Sequence, residues 1–307
     1  MMHMKVAFLF PGQGSQAVGM MNGLARFPEV RQTFEEASAA LGEDVWKLVS
    51  EGPAETLNQT LHTQPAMLAA DIATWRVFLG QGGARPAAMA GHSLGEIAAL
   101  TAAGALDFAE AVKLTRFRAE AMQNAVPEGV GAMAALLGLD DGAVRAVCSE
   151  AAQGEVLEAV NLNSPGQVVI AGNKAAVERG MALAKERGAR RALPLPVSVP
   201  SHSSLMKPAA EQFRAYLESV NLREPAIPVL QNADVRAFTD PLAIKDALAR
   251  QLHSPVRWVE TMLALAGLGI ERCVECGPGK VLAGLSKRIN DMSCVALVDE
   301  AALLSIN

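Results

Sequence analysis

Short apolar runs alternate with stretches of helical spacing along most of the chain, and that punctuation predicts an α/β fold. Lys5 to Phe10 reads as a strand that enters the turn Pro11-Gly12. Helices are expected over Glu29 to Leu41 and Gln64 to Leu79, with a short apolar strand over Ala87 to Ala90. A small-residue helix follows from Leu94 to Ala103, and a second from about Ala109 to Val126, which Pro127 and Gly129 end.

From about Gly131 the order changes. Ala132 to Leu139 reads as a strand and Asp141 to Ala152 as a helix. Val156 to Asn161 and Gln167 to Ala171 read as strands joined by the turn Asn163-Ser164-Pro165-Gly166. Lys174 to Arg187 is an expected helix and Arg191 to Val197 a strand. The order β-α-β-β-α-β is that of a ferredoxin-like unit, here inserted into a larger domain. The larger domain resumes with a helix over Lys207 to Val220 and a strand near Val229. Helices around Ile244 to Gln251 and Val256 to Ala266 follow, then a strand at Cys273 to Glu275. The expected architecture is an α/β-hydrolase-like large domain, residues 1–128 and 199–307, with a ferredoxin-like small domain, residues 129–198.

Composition narrows the class. With 307 residues, half of them apolar, the chain can bury a large core without disulfide or metal staples. No apolar run approaches the roughly 18 residues that a membrane-spanning helix needs. Nothing indicates export, so a soluble, cytoplasmic protein is expected, with no membrane partner. A formal charge of −5 argues against a nucleic-acid-binding stripe. The C-x-x-C pair Cys273 and Cys276 falls on an expected strand, where positions three apart face opposite ways, so no metal site is expected there.

Gly91-His92-Ser93-Leu94-Gly95 matches G-x-S-x-G between a strand and a helix. Such a turn lifts a serine hydroxyl above the sheet and aims the first helical amides at a developing oxyanion; a tight structural turn is the alternative. Of the five histidines, His202 stands out as a candidate base. It lies in a loop where the chain leaves the inserted unit, whereas His3 is terminal, His62 lies in a polar helical stretch and His92 belongs to the elbow. No acidic residue identifies itself as a third triad member, so a backbone carbonyl or an amide could orient the imidazole. Arg118 shares a helical face with Ala111, Leu114, Ala121, Met122 and Ala125. It either snorkels to the rim or meets a carboxylate in a site. The turn Gly12-Gln13-Gly14-Ser15-Gln16-Ala17 also fits G-x-G-x-x-A after a strand, a dinucleotide fingerprint. That reading lacks an acidic residue ending a second strand, since Glu29, Glu35 and Glu36 fall in an expected helix. The same turn could offer the Gln13 amide to an oxyanion.

Taken together, these segments resemble the malonyl-CoA:acyl-carrier-protein transacylase family of bacterial type II fatty acid synthesis. The resemblance spans nearly the whole chain. It is carried by F-P-G-Q-G-S-Q at Phe10 to Gln16, T-Q-P-A at Thr63 to Ala66, G-H-S-L-G-E at Gly91 to Glu96 and R-A-E-A-M-Q at Arg118 to Gln123. It continues with A-V-P-E-G at Ala125 to Gly129, N-S-P-G-Q-V-V-I-A-G at Asn163 to Gly172 and V-P-S-H at Val199 to His202. Q-L-H-S-P-V-R-W at Gln251 to Trp258 and G-P-G-K-V-L at Gly277 to Leu282 complete it.

The resemblance implies that Ser93 is the acylated nucleophile and His202 its base, with the amides of Gln13 and Leu94 as oxyanion hole. It further implies that Arg118 holds the free carboxylate of a malonyl group and that the main chain of Gln251 orients His202. Asn163, on the insert's turn, would sit near the site and place the cleft between the domains. Malonyl-CoA would be a substrate, the phosphopantetheine would be carried by acyl carrier protein, and no cofactor or nucleic acid would take part. The carrier of this family is acidic, so Arg190, Arg191, Lys287 and Arg288 are docking candidates.

Overall fold

A computed structural model describes residues 4–197, 199–290 and 292–306. His3 therefore lies outside the described residues, as does Ser198 at the expected boundary. Among the described residues ten strands form two sheets. They are β1 (Val6–Phe10), β2 (Ala88–Gly91), β3 (Gly131–Leu137), β4 (Leu157–Ser164), β5 (Gln167–Asn173), β6 (Arg191–Pro194), β7 (Val229–Gln231), β8 (Arg236–Ala237), β9 (Arg272–Glu275) and β10 (Ser293–Ala296).

The larger sheet runs β10-β9-β1-β2-β7-β8. Every pair is parallel except β7 with β8. Its central strands are buried on both faces, as parallel strands covered by helices must be. The period of two divides β1: Phe8 and Phe10 enter one core with Phe34, Trp75 and Phe78, while Ala7 and Leu9 face another with Trp258 and Met262. The smaller sheet, β4-β5-β3-β6, is antiparallel throughout. One of its faces packs on the helices Asp141–Ala152 and Lys174–Glu186. The other presents Met133, Val160 and Val169 toward Leu195 and Val197.

Hydrogen bonds tie the smaller sheet to the rest of the chain. Val256 donates to the carbonyl of Val160 and accepts from the amide of Leu162, so β4 is bonded to the segment just before the helix Trp258–Gly267. Glu158 on β4 accepts from both the amide and the hydroxyl of Ser204, at 2.8 and 2.7 Å, fixing the loop that follows His202.

Most expected elements are present with shifted ends. The expected turn Asn163-Ser164-Pro165-Gly166 is shorter than the sequence suggested. Register shifts in β4 add residues to the strand, which runs through Ser164 and leaves Pro165-Gly166 to turn, with Gly166 at φ 74°. Asn163 is thus a strand residue. The expected strand to Val197 stops at Pro194, because Pro194 and Pro196 cannot donate to a ladder. Cys273 and Cys276 point into cores on opposite faces, Cys273 Sγ beside Met292 and Cys276 Sγ beside the carbonyl of Asp71. Among the described residues no helix is long and apolar enough to cross a membrane.

Candidate active site

The sharp passage from β2 into the helix Gly95–Ala102 places Ser93 at φ 53°, in the left-handed region. Its glycines are steric necessities: a Cβ on Gly91 would lie 1.9 Å from the backbone of Gly95, and one on Gly95 would lie 2.0 Å from the carbonyl oxygen of Phe10. His202, at φ 66°, is a second residue held in that region, by its amide on the carbonyl of Leu252 at 3.0 Å. Non-glycine residues in this conformation persist where the surroundings over-determine them.

The two side chains meet. Ser93 Oγ lies 2.7 Å from His202 Nε2, and His202 Nδ1 lies 2.8 Å from the main-chain oxygen of Gln251. A carbonyl only accepts, so Nδ1 carries the proton and Nε2 turns its lone pair to the serine. Burial, and next the positive charge of Arg118, pull the imidazole down to about 3, so it is neutral at physiological pH. Among the described residues no carboxylate bonds His202.

Arg118, on the helix Phe108–Asn124, is 1 % exposed and does not reach the rim. Nor does it bond a carboxylate. Nη1 donates to Gln64 Oε1 and Nη2 to Gln251 Oε1, each at 2.8 Å, and Nη2 also lies 3.3 Å from Ser93 Oγ. Burial lowers the guanidinium to about 10, which leaves it charged at neutral pH. A fixed cation whose partners are neutral amides and a hydroxyl has charge left to offer an anionic group.

Gln13 and Leu94 line the same cavity of about 490 Å³ as Ser93, Arg118 and His202. Among the described residues neither main-chain amide has a partner within the protein. Asn163 Oδ1 accepts from His92 Nε2 at 2.8 Å, and the His92 ring packs on Trp258. Asn163 therefore supports the elbow through His92. The acidic residues weighed for a dinucleotide site lie on the helix Pro28–Leu41. His62 lies 3.7 Å from Glu43 and outside this cavity.

Three site residues escaped the sequence reading. Gln64 holds Arg118. Asn232 accepts from the amide of Ser93 at 2.7 Å and donates to the carbonyl of Gly91 at 2.6 Å. Glu96 accepts from the amide of Asn232 at 2.7 Å, and burial raises its carboxyl to about 7. Gln64 and Glu96 stand inside quoted motifs without a role. Asn232 follows β7 at the carboxyl end of a parallel strand, the edge where sites in such sheets gather, and that position was the available signal.

Residues 7–298 match the acyl transferase domain family. The chain is 55% identical to a malonyl CoA-acyl carrier protein transacylase of Escherichia coli strain K12, over 97% of each chain. It superposes with a TM-score of 0.97 on the crystal structure of an acyl-carrier-protein S-malonyltransferase from Burkholderia pseudomallei 1710b, at 57% identity over 98% of this chain and 99% of that one. A malonyl-transacylase solved in complex with its type II PKS acyl-carrier protein gives a TM-score of 0.97 at 52% identity, covering 98% of both chains. The nucleophile elbow, the imidazole it meets and these likenesses over nearly the full length lead to one assignment: the chain belongs to the acyl transferase domain family, among the malonyl CoA-acyl carrier protein transacylases.

Proposed function

We propose that this protein is a cytoplasmic enzyme that moves a malonyl group from malonyl-CoA to the phosphopantetheine thiol of acyl carrier protein, supplying fatty acid synthesis. The observation that carries this reading is the meeting of Ser93 Oγ, His202 Nε2 and the buried Arg118 in one cavity. Ser93 Oγ attacks the thioester carbonyl as its proton passes to His202 Nε2, and the amides of Gln13 and Leu94 receive the oxyanion. The tetrahedral species collapses, the C–S bond breaks, and His202 returns the proton to the departing CoA sulfur. The carrier thiol then attacks the malonyl ester, with His202 again taking and returning one proton, so ping-pong kinetics follow. The main chain of Gln251 orients His202, and Arg118 pairs with the malonyl carboxylate throughout. The chemistry draws on no resident cofactor, since both acyl carriers are substrates.

The architecture fits a finer description: an α/β-hydrolase-like body, residues 1–128 and 199–307, and a ferredoxin-like insert, residues 129–198. The antiparallel order β4-β5-β3-β6 with two helices on one face supports the second part. Arg190, Arg191, Lys287 and Arg288 are exposed, and Arg288 reaches Gln167 beside the β4–β5 turn, so we assign this side to the acidic carrier.

Intact-protein mass after mixing with malonyl-CoA, and separately with acetyl-CoA, tests the reading. A malonyl adduct is expected on the wild type and not on Ser93→Ala. Arg118→Ala should lose about 3 to 5 kcal/mol of preference for malonyl over acetyl, the usual cost of breaking a buried charge pair. No adduct on the wild type would overturn the covalent mechanism.

A further inference from the structure

The amide of Ser93 is one of the first donors of the elbow, yet it does not face the cavity. Asn232 Oδ1 accepts it at 2.7 Å, and Asn232 Nδ2 returns a bond to the carbonyl of Gly91, so one side chain clamps the backbone on both sides of His92. The next-but-one amide, of Gly95, is also used, on the carbonyl of His92 at 3.0 Å. Of the three consecutive amides, Leu94 alone is left for an incoming oxyanion. Asn232 is fully buried, and its own amide is tied to Glu96 Oε2 at 2.7 Å. Its orientation is thereby fixed from below by a residue on the helix that the elbow starts.

We infer that Asn232, anchored by Glu96, is a positioning residue for acylation: it holds Ser93 in its left-handed backbone and reserves the Leu94 amide for the oxyanion. The inference rests on the transacylase reading for its substrate, although the geometry concerns any acyl group. Without the clamp, Ser93 relaxes toward an ordinary backbone conformation, its Oγ leaves the 2.7 Å contact with His202, and its amide competes for the oxyanion position. Arg118 and its partners Gln64 and Gln251 remain, so recognition of the acyl carboxylate persists while the chemical step slows.

Single-turnover acylation by malonyl-CoA separates the two effects in Asn232→Ala, Glu96→Gln and Glu96→Ala. Binding of a malonyl-CoA analogue with a methylene in place of the thioester sulfur reports on the pocket without cleavage. Asn232→Ala is expected to acylate about 100-fold more slowly, the scale of a misplaced reacting group, while binding the analogue within about 3-fold of the wild type. Glu96→Gln keeps an oxygen for the Asn232 amide and is expected to recover the rate to within about 5-fold, whereas Glu96→Ala falls toward Asn232→Ala. The Glu96 pair decides the matter should Asn232→Ala not fold. An Asn232→Ala rate within about 3-fold of the wild type overturns the inference. So does a Glu96→Gln variant no faster than Glu96→Ala. Labelling of Ser93 by a fluorophosphonate runs alongside. A wild type that takes the label and no malonyl group would sink the transacylase reading, while the labelling rates of the variants still judge Asn232.

Discussion

His202, the proposed base, is set beside a cation it does not neutralise. Its imidazole is lowered first by burial and second by Arg118; in the proposed mechanism the carboxylate of the incoming acyl group brings the opposing charge. Because the folded value lies near 3, the ring is neutral above that pH, and the acylation rate should show no inflection near the ordinary histidine value. Observed by NMR, His202 should stay neutral on acidification from neutrality to about pH 4, and in Arg118→Ala it should titrate at higher pH. Titration of the wild-type ring at its ordinary value would contradict this arrangement. At this scale the structure brings together four residues singled out in the sequence, Ser93 by its elbow, His202 by its loop position, Arg118 by its helical face and Gln251 by the family resemblance alone. Gln64, Glu96 and Asn232 are ordinary polar residues locally, and their contacts arise only where a long separation in sequence, 54 residues for Gln64 with Arg118 and 139 for Asn232 with Ser93, is closed by folding.

The elbow shows how an element depends on absent atoms. Gly95 begins a helix against β1, with no room for a methyl group beside the carbonyl of Phe10. Gly95→Ala should therefore cost about 3 kcal/mol or more of unfolding free energy, since backbone rather than a mobile side chain must shift. Denaturant unfolding would measure it, and a loss under about 1 kcal/mol would mean the turn can move aside. Elements with one apolar face were legible: Pro28–Leu41, Asp141–Ala152 and Lys174–Glu186 fall close to their expected bounds. Val281–Ile289 and the edge strand β10 went unread, the strand being only partly buried along its length. The end of β4 was misplaced because its irregular register lies beyond a two-residue period.

For the molecule as a whole, buried acids set how stability follows pH. Glu275 accepts from the amides of Leu282 and Ala283, yet burial raises it to about 7; the neighbouring Asp71 is raised as well, by burial and then by the Glu275 charge. A carboxyl raised on folding contributes stability that is full below its unfolded value of 4.5 and is lost as pH rises through about 7. His92 and His202, both lowered, act in the opposite sense, so the informative quantity is the difference between wild type and variant. Glu275→Gln should flatten the decline between about pH 5 and pH 8 by up to about 3 kcal/mol, read from denaturant midpoints at each pH. The carrier step belongs to this scale too. Reversing Arg191 and Arg288 to glutamate should raise the KM for acyl carrier protein about 10-fold and leave acylation by malonyl-CoA unchanged. An unchanged KM would move the docking surface elsewhere.

Gln251 carries three duties at once: its main-chain oxygen orients His202, its side-chain oxygen holds Arg118, and its side-chain nitrogen donates to the carbonyl of Ser93 at 3.0 Å. The proposed base, anion clamp and nucleophile are thus wired through a single position. For anyone redesigning the enzyme to accept other acyl groups, that position is closed to variation, because altering it changes reactivity together with selectivity. The route left open runs through Gln64 and Met122, which meet at 3.7 Å beside the Nη1 end of the guanidinium, Gln64 holding that end while Gln251 holds the other.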